Sequence, residues 1–467
     1  MDRSASNESE GTRVGRVMGA IRDRIARRSL TPGSRLPSIR AFAETMQVSK
    51  STVVEAYDRL AAEGTIRSRP GSGFYVAAPL APLALAEIGP RLDQAVDPFW
   101  VSRQSLEAGT DLLKPGCGWL PAEWMPVESL RRALRGIVRA AEPATLTDYG
   151  SPRGLPALRQ LLARRMAERG IETAPDQILI TESCTQALDL LCRFLIEPGD
   201  SVLVDDPCYF NFLALLRAHR ARVVGVPLTP TGPDLRLFAQ ALSEHRPRLY
   251  ITNSGLQNPT GASLQPSVAH RLLKLAAEHE LIVIEDDIFA DFEHEPAPRL
   301  AELDGLERVI RIASCSKTLS ASVRCGYIAG PRDWIDNLVD LRIATDFSSR
   351  RLSAELVLTA LTDGSYRKHM EALRARLSKA MAATNRRLKG LGIEPWLEPV
   401  AGMFLWCRLP DGLDAGEVAR RALAEKLVLA PGNAFSPSQT APHFMRFNVA
   451  QCGDERVFKV LERAMRG

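Results

Sequence analysis

Apolar side chains recur every three or four residues over 14–27, at Val14, Val17, Ile21 and Ile25. That spacing predicts a helix with one buried face. Thr31-Pro32-Gly33-Ser34 interrupts it. A second helix is expected from Ser38, its N-cap, to about Met46. A turn through Gln47-Val48 leads to a third, capped by Ser49 and stopped near Glu63 by Gly64. Val53, Tyr57 and Leu60 fall on its inner face and are assigned to the core. Two short runs follow, 65–68 and 74–76, around Pro70-Gly71-Ser72-Gly73, and predict a hairpin.

From about Phe99 the pattern changes. Short β-branched runs at 177–181, 201–205, 222–227, 249–252, 281–285, 309–313 and 324–329 alternate with helical stretches, such as 186–194. This alternation predicts an α/β fold on a mostly parallel sheet. Past about Ala380 strands thin out, near 404–408, 427–430 and 445–449, which suggests a smaller α+β lobe. The expected division is an N-terminal, mostly α domain at 10–77, a linker at 78–98 rich in Ala, Pro and Leu, and a domain at 99–467. Its large lobe spans about 130–345 and its small lobe about 346–467.

Composition narrows the class. Of 467 residues, 45% are hydrophobic and 25% charged, which excludes disordered and fibrous chains. The net charge is +5. Residues 1–77 hold 13 basic and 8 acidic groups, and the rest of the chain balances at 47 of each. The excess points to an anionic partner for the N-terminal segment. No secretory signal pattern is visible. No apolar stretch approaches the ~18–20 residues that span a bilayer, so no membrane partner is expected. The eight Cys form no C-x-x-C pair and are read as reduced, in a cytoplasmic protein. The seven His lack zinc-ligand spacing, so no metal is expected.

Two helices joined by a tight turn and followed by a hairpin make a winged helix-turn-helix, whose second helix reads the major groove of double-stranded DNA from its N-terminal end. That end offers Ser49, Lys50, Ser51 and Thr52. Arg35, Arg40, Arg67 and Arg69 flank it as phosphate contacts. Gly71 and Gly73 give a thin wing tip. The stretches 33–40, 48–53 and 69–76, with Tyr57, Leu60 and Glu63-Gly64, resemble the DNA-binding domain of GntR-family regulators. Val54 stands where many members carry Arg.

A second chemistry gathers around Ser314-Cys315-Ser316-Lys317, after the run 309–313. The chain has nine Lys against 51 Arg. A lysine at a strand end suits a Schiff base with an aldehyde such as pyridoxal 5′-phosphate, which also needs an acid for its ring nitrogen. Asp286 offers that acid. Ser183-Cys184-Thr185 open a helix, a phosphate site. Ser314 and Arg324 can join them. Tyr209 can stack on the ring and Asn258 can bond its phenolic oxygen. With Tyr149-Gly150-Ser151-Pro152-Arg153-Gly154, Asn258-Pro259-Thr260-Gly261 and Arg446-Phe447-Asn448, the set resembles class I aminotransferases of fold type I. That resemblance makes Lys317 the cofactor lysine, Asp286 its pyridinium partner and Arg446 the clamp on a substrate carboxylate. Tyr149 would reach the phosphate of a neighbouring subunit, which implies a homodimer. Three departures stand out: Phe289 where a Tyr is frequent, Ser183-Cys184 where Gly is frequent, and Ala321 for a Pro. Trp119, Trp124 and Trp406 are assigned to packing, although Gly116-Cys117-Gly118-Trp119 also resembles a family segment at the site mouth.

The two halves together resemble the MocR subfamily of transcriptional regulators. The resemblance implies a pyridoxal-phosphate-binding regulator that senses an amino compound, or the cofactor itself, and dimerises. The alternative is a working aminotransferase that carries a DNA-binding domain.

Overall fold

Three helices and a hairpin build the N-terminal part: α1 (Arg13–Ala26), α2 (Ile39–Met46), α3 (Lys50–Ala62), β1 (Ile66–Arg69) and β2 (Gly73–Val76). The computed structural model describes residues 12–466 apart from 27–28, 31–32, 70, 78–98, 100–101, 104–105, 107–110 and 141–142, so the expected linker lies outside the described residues. The chain divides into two compact units, Met1–Ala84 and Leu85–Gly467.

In the first unit Ser38 Oγ accepts from Ala41 N and Ser49 Oγ from Thr52 N, both at 3.2 Å. Each cap satisfies an amide that the first helical turn leaves open. The apolar faces of α1–α3 meet in a core of Val17, Ile21, Phe42, Val53, Tyr57 and Leu60. Tyr57 keeps its hydroxyl there by donating to Pro37 O at 3.0 Å, and burial pushes its phenol up to about 12. The hairpin is antiparallel, Ile66 opposite Val76.

The second unit holds an eight-stranded sheet: β3 (Ile178–Thr181), β4 (Ser201–Asp206), β5 (Arg222–Thr229), β6 (Gly232–Pro233), β7 (Leu249–Thr252), β8 (Ile282–Asp286), β9 (Val309–Ser314) and β10 (Gly326–Ala329). Their order is β3-β10-β9-β8-β7-β4-β5-β6. The run from β9 to β5 is parallel, while β10 and the short edge strand β6 are antiparallel to their neighbours. β3, β7 and β9 are buried along their whole length, which is why they read as mostly apolar runs; Arg311, inside β9, is buried with Asp287 as its partner.

A second sheet, ordered β11-β12-β14-β13, comprises β11 (Glu394–Pro395), β12 (Phe404–Arg408), β13 (Ala430–Pro431) and β14 (Phe444–Asn448). The strand expected at 427–430 joins this sheet only at its end. Its earlier part pairs elsewhere, with Val428 N donating to Leu113 O and Gly116 N to Val428 O, both at 2.9 Å. β6 and β11 are two residues long, too short to show any alternation in the sequence. All eight cysteines are free. Among the described residues no helix is long and apolar enough to cross a membrane.

Candidate functional site

The carboxyl ends of β4, β7, β8 and β9 border a cavity of about 310 Å³. In a parallel sheet, ligands bind at this end of the strands. Lys317 lines the cavity three residues past β9, and its Nζ donates to Gly118 O at 2.6 Å. Burial holds its ammonium below the usual range, which favours the free amine. Asp286 ends β8 with its side chain buried. Its Oδ1 accepts from Ile288 N at 3.2 Å, and the Cys184 thiol bonds it as well. Burial pushes this carboxyl up to about 7. The next residue behaves oppositely. Burial alone would raise Asp287, but Arg299 at 2.7 Å and Arg311 at 2.6 Å hold it below the carboxylate range.

Tyr209 lines the cavity just past β4, its ring 5.0 Å from Phe210 and 5.5 Å from Phe212, and burial raises its phenol to about 12. Asn258 Oδ1 accepts from Arg446 Nη1 at 2.8 Å. Arg446, on β14, also donates through Nη2 to Gly116 O at 2.7 Å. Its guanidinium lies 4.3 Å from the Phe404 ring and 4.7 Å from the Phe435 ring. Burial lowers it to about 10, and its buried Nε has no partner among the described residues. Gly116 lets its segment pack on the 428–430 backbone, because a Cβ there would sit 2.5 Å from Leu429 C.

At the other end Ser183 Oγ accepts from Gln186 N at 3.1 Å and caps the helix Cys184–Leu195, which starts two residues before the expected 186. Burial and the neighbouring Asp286 keep the Cys184 thiol protonated, well above its usual range. Thr185 is exposed, and Asn211 Nδ2 donates to its hydroxyl at 3.3 Å. Ser314 Oγ donates to Cys325 O at 2.9 Å and accepts from Ser316 N at 3.1 Å. Arg324 also lines the cavity, and its guanidinium makes no hydrogen bond or ion pair among the described residues. Gly326 leaves room for the serine turn, since a Cβ there would meet Ser183 C at 2.9 Å.

Tyr149 is not brought to this cavity. It is 77% exposed, and its ring packs edge-on against Phe347 at 4.8 Å. Phe347 has φ 65 and ψ −54, and Ser348 N donates to Asp346 O at 2.8 Å. This is a γ-turn of the rare, strained hand. Gln186 Nε2 anchors it by donating to Asp346 at 3.2 Å.

In the first unit Ser49, Lys50 and Ser51 are exposed at the start of α3, and Thr52 is half-buried. The Ser49 hydroxyl, already the cap, also lies 2.8 Å from Ser51 Oγ and 2.7 Å from Thr52 Oγ1. Arg35, Arg40, Arg67 and Arg69 are exposed. Arg40 pairs with Glu44 at 3.4 Å, and Arg69 stacks 4.6 Å from the Tyr75 ring. Gly71 (φ 72) and Gly73 (φ 103) form the hairpin tip in backbone conformations that favour glycine.

Several lining residues escape sequence reasoning. Phe210 and Phe435 read as ordinary core aromatics, and so does Phe404, a buried neighbour of Arg446. Trp119, assigned to packing with a site-mouth resemblance beside it, lines the cavity, whereas Trp406 is buried and Trp124 packs under Arg376 at 4.2 Å. Phe289 also lines the cavity, so no hydroxyl stands at its position.

Two family models match: "Bacterial regulatory proteins, gntR family" over residues 13–76 and "Aminotransferase class I and II" over 120–463. The chain is 31% identical to an uncharacterized HTH-type transcriptional regulator, YdcR, of Escherichia coli (strain K12), over 93% of this chain and 94% of that protein. It is 30% identical to the 2-aminoadipate transaminase of Thermus thermophilus, over 75% of this chain and 89% of the enzyme. The crystal structure of the α-aminoadipate aminotransferase LysN from Thermus thermophilus, complexed with N-(5′-phosphopyridoxyl)-L-leucine, superposes with a TM-score of 0.72 at 28% identity. The match covers 82% of this chain and 99% of that one.

Proposed function

The chain belongs to the class I and II aminotransferase family and carries the DNA-binding domain of gntR-family regulators, and from this premise we propose that it is a transcriptional regulator whose aminotransferase-like domain senses an amino compound. The observation that carries the reading is the presence, on one chain, of an exposed helix tip with its wing and of a pocket that gathers Lys317, Asp286 and Arg446. The division we adopt is 10–77, 78–98 and 99–467.

The cofactor implied by the domain is pyridoxal phosphate. When bound, it supplies an aldehyde that takes an amine covalently and a ring that accepts negative charge. The residues fit it. Lys317 offers a buried amine of lowered basicity. Asp286 has a neutral amide and a thiol as partners, which leaves its charge for a protonated ring nitrogen. Tyr209, in the cavity wall, would stack on the cofactor's ring. Asn258, with Oδ1 taken by Arg446, has its amide N–H groups left for the phenolic oxygen. The amides and hydroxyls at Ser183, Cys184 and Thr185, with Arg324, would hold the phosphate, and Ser314 would join them by turning its hydroxyl from Cys325 O. The unpartnered Nε of Arg446 marks it as the clamp for a ligand carboxylate. Tyr149 and Phe347 face outward, in accord with a role for Tyr149 in the site of a second copy.

A ligand in this pocket changes DNA affinity only as far as it binds two states of the protein unequally. Binding of the full chain to the DNA upstream of its own gene tests the reading. Affinity should fall steeply with salt, and Arg67→Ala or Lys50→Ala should each reduce the salt slope by about 1. Lys317→Ala should keep DNA binding and lose the response to added amino compounds. A salt-independent affinity, or an unchanged response in Lys317→Ala, overturns the proposal. The second reading, a working aminotransferase, draws on the similarity to the Thermus enzyme. Sustained turnover of many equivalents of an amino acid with a keto acid would establish it.

A further inference from the structure

The pocket's wall points to the kind of amino compound it takes, an inference that rests on the sensing role proposed above. Arg446 receives its ligand under tight constraint. Its guanidinium lies against the rings of Phe404 and Phe435, and two N–H donors are spent on Asn258 and Gly116. What remains is an edge of the guanidinium plane, which suits one carboxylate. The rest of the cavity wall is mostly apolar. Phe210 packs on Phe435 at 5.6 Å, and Pro431, Ala434 and Trp119 belong to the same cavity wall. Phe289 extends it where a hydroxyl would otherwise stand.

Charge completes the argument. The charged side chains lining the cavity, among the described residues, are Asp286, Lys317, Arg324 and Arg446. The first three are assigned to the cofactor and the fourth to the ligand's carboxylate. A second carboxylate or an ammonium on the ligand's side chain would lose its water against rings and methyl groups, with no counter-charge from this copy's described lining. We propose that the sensed ligand is an α-amino acid with one carboxylate and a neutral, apolar side chain, and that Phe210 and Trp119 set this preference.

The test is an equilibrium titration of the full chain loaded with pyridoxal phosphate, followed by the absorbance band of the bound cofactor. Leucine, phenylalanine, glutamate, aspartate, lysine and phenethylamine are compared. Leucine or phenylalanine should half-saturate at a concentration at least about tenfold below the charged amino acids and below phenethylamine. Phe210→Arg, or Trp119→Arg if the first loses the cofactor band, should shift the leucine-to-glutamate preference by at least about tenfold towards glutamate. Glutamate, aspartate or lysine binding as tightly as leucine overturns the side-chain assignment and leaves the sensing role standing. Phenethylamine matching phenylalanine overturns the carboxylate assignment. A cofactor band that no amino acid moves overturns this inference and the sensing role together.

Discussion

Asp286 and Asp287 are neighbours in sequence, equally buried, and their surroundings push their acidities in opposite directions. Asp287 meets two guanidinium groups. Asp286 meets a backbone amide and a thiol, and burial pushes it up to about 7. An unfolded aspartate titrates near ~3.9. The folded protein therefore binds this proton more tightly than the unfolded chain. The stability that the proton confers is full below about pH 4 and is lost as pH rises through about 7. Urea unfolding of cofactor-free protein at pH 5 and pH 8 should show a smaller loss at pH 8 for Asp286→Asn than for the parent. An equal loss would mean that another group dominates. Lys317 and Asp286 were legible in the sequence because each is a polar residue at or just beyond the end of an apolar run, and Asn258 because it opens the stretch Asn258-Pro259-Thr260-Gly261. The Phe404 and Phe435 pair around Arg446 was not. It depends on which rings the small lobe brings together, and an aromatic in an apolar run reads as core wherever it points.

At the scale of elements, α3 joins two demands in one residue. Ser49 caps the helix and stands at the tip expected to meet DNA. Ser49→Ala should cost the first unit about 1 kcal/mol, read as a lower melting temperature. Ser49→Asp should keep the cap and favour the helix dipole, yet weaken DNA binding through repulsion from phosphate. Equal DNA affinity for Ser49→Asp and the parent would remove this tip from the interface. The Phe347 turn gives a second case. Glycine adopts a positive φ without steric cost, so Phe347→Gly should be more stable than Phe347→Ala by roughly 1 kcal/mol in chemical denaturation. The reverse order would show that the turn is not strained. The helices, the hairpin and the parallel strands followed from periodicity. The turn at Phe347 did not, because its conformation is imposed by the anchoring of Asp346 rather than by the residue itself.

At the scale of the whole molecule, the net charge of +5 resides in residues 1–77, and the remaining chain is balanced. The arginines and the lysine beside the helix tip belong to that excess, while Lys317, Arg324 and Arg446 act singly in a pocket. The same partition holds for packing. The first unit's core, around Tyr57, shares no residue with the clusters that enclose the sheet. A domain of about 60 residues buries a smaller fraction of its surface than one several times larger and is correspondingly marginal. Two cores of unequal size imply an order of failure on heating. Calorimetry should resolve two transitions. Operator binding should vanish in the first, while the cofactor band persists until the second. A single transition that removes both would mean that the units melt as one. If the order holds, the protein carries an intrinsic temperature limit on gene control: above it the ligand is still bound, but the message no longer reaches the DNA.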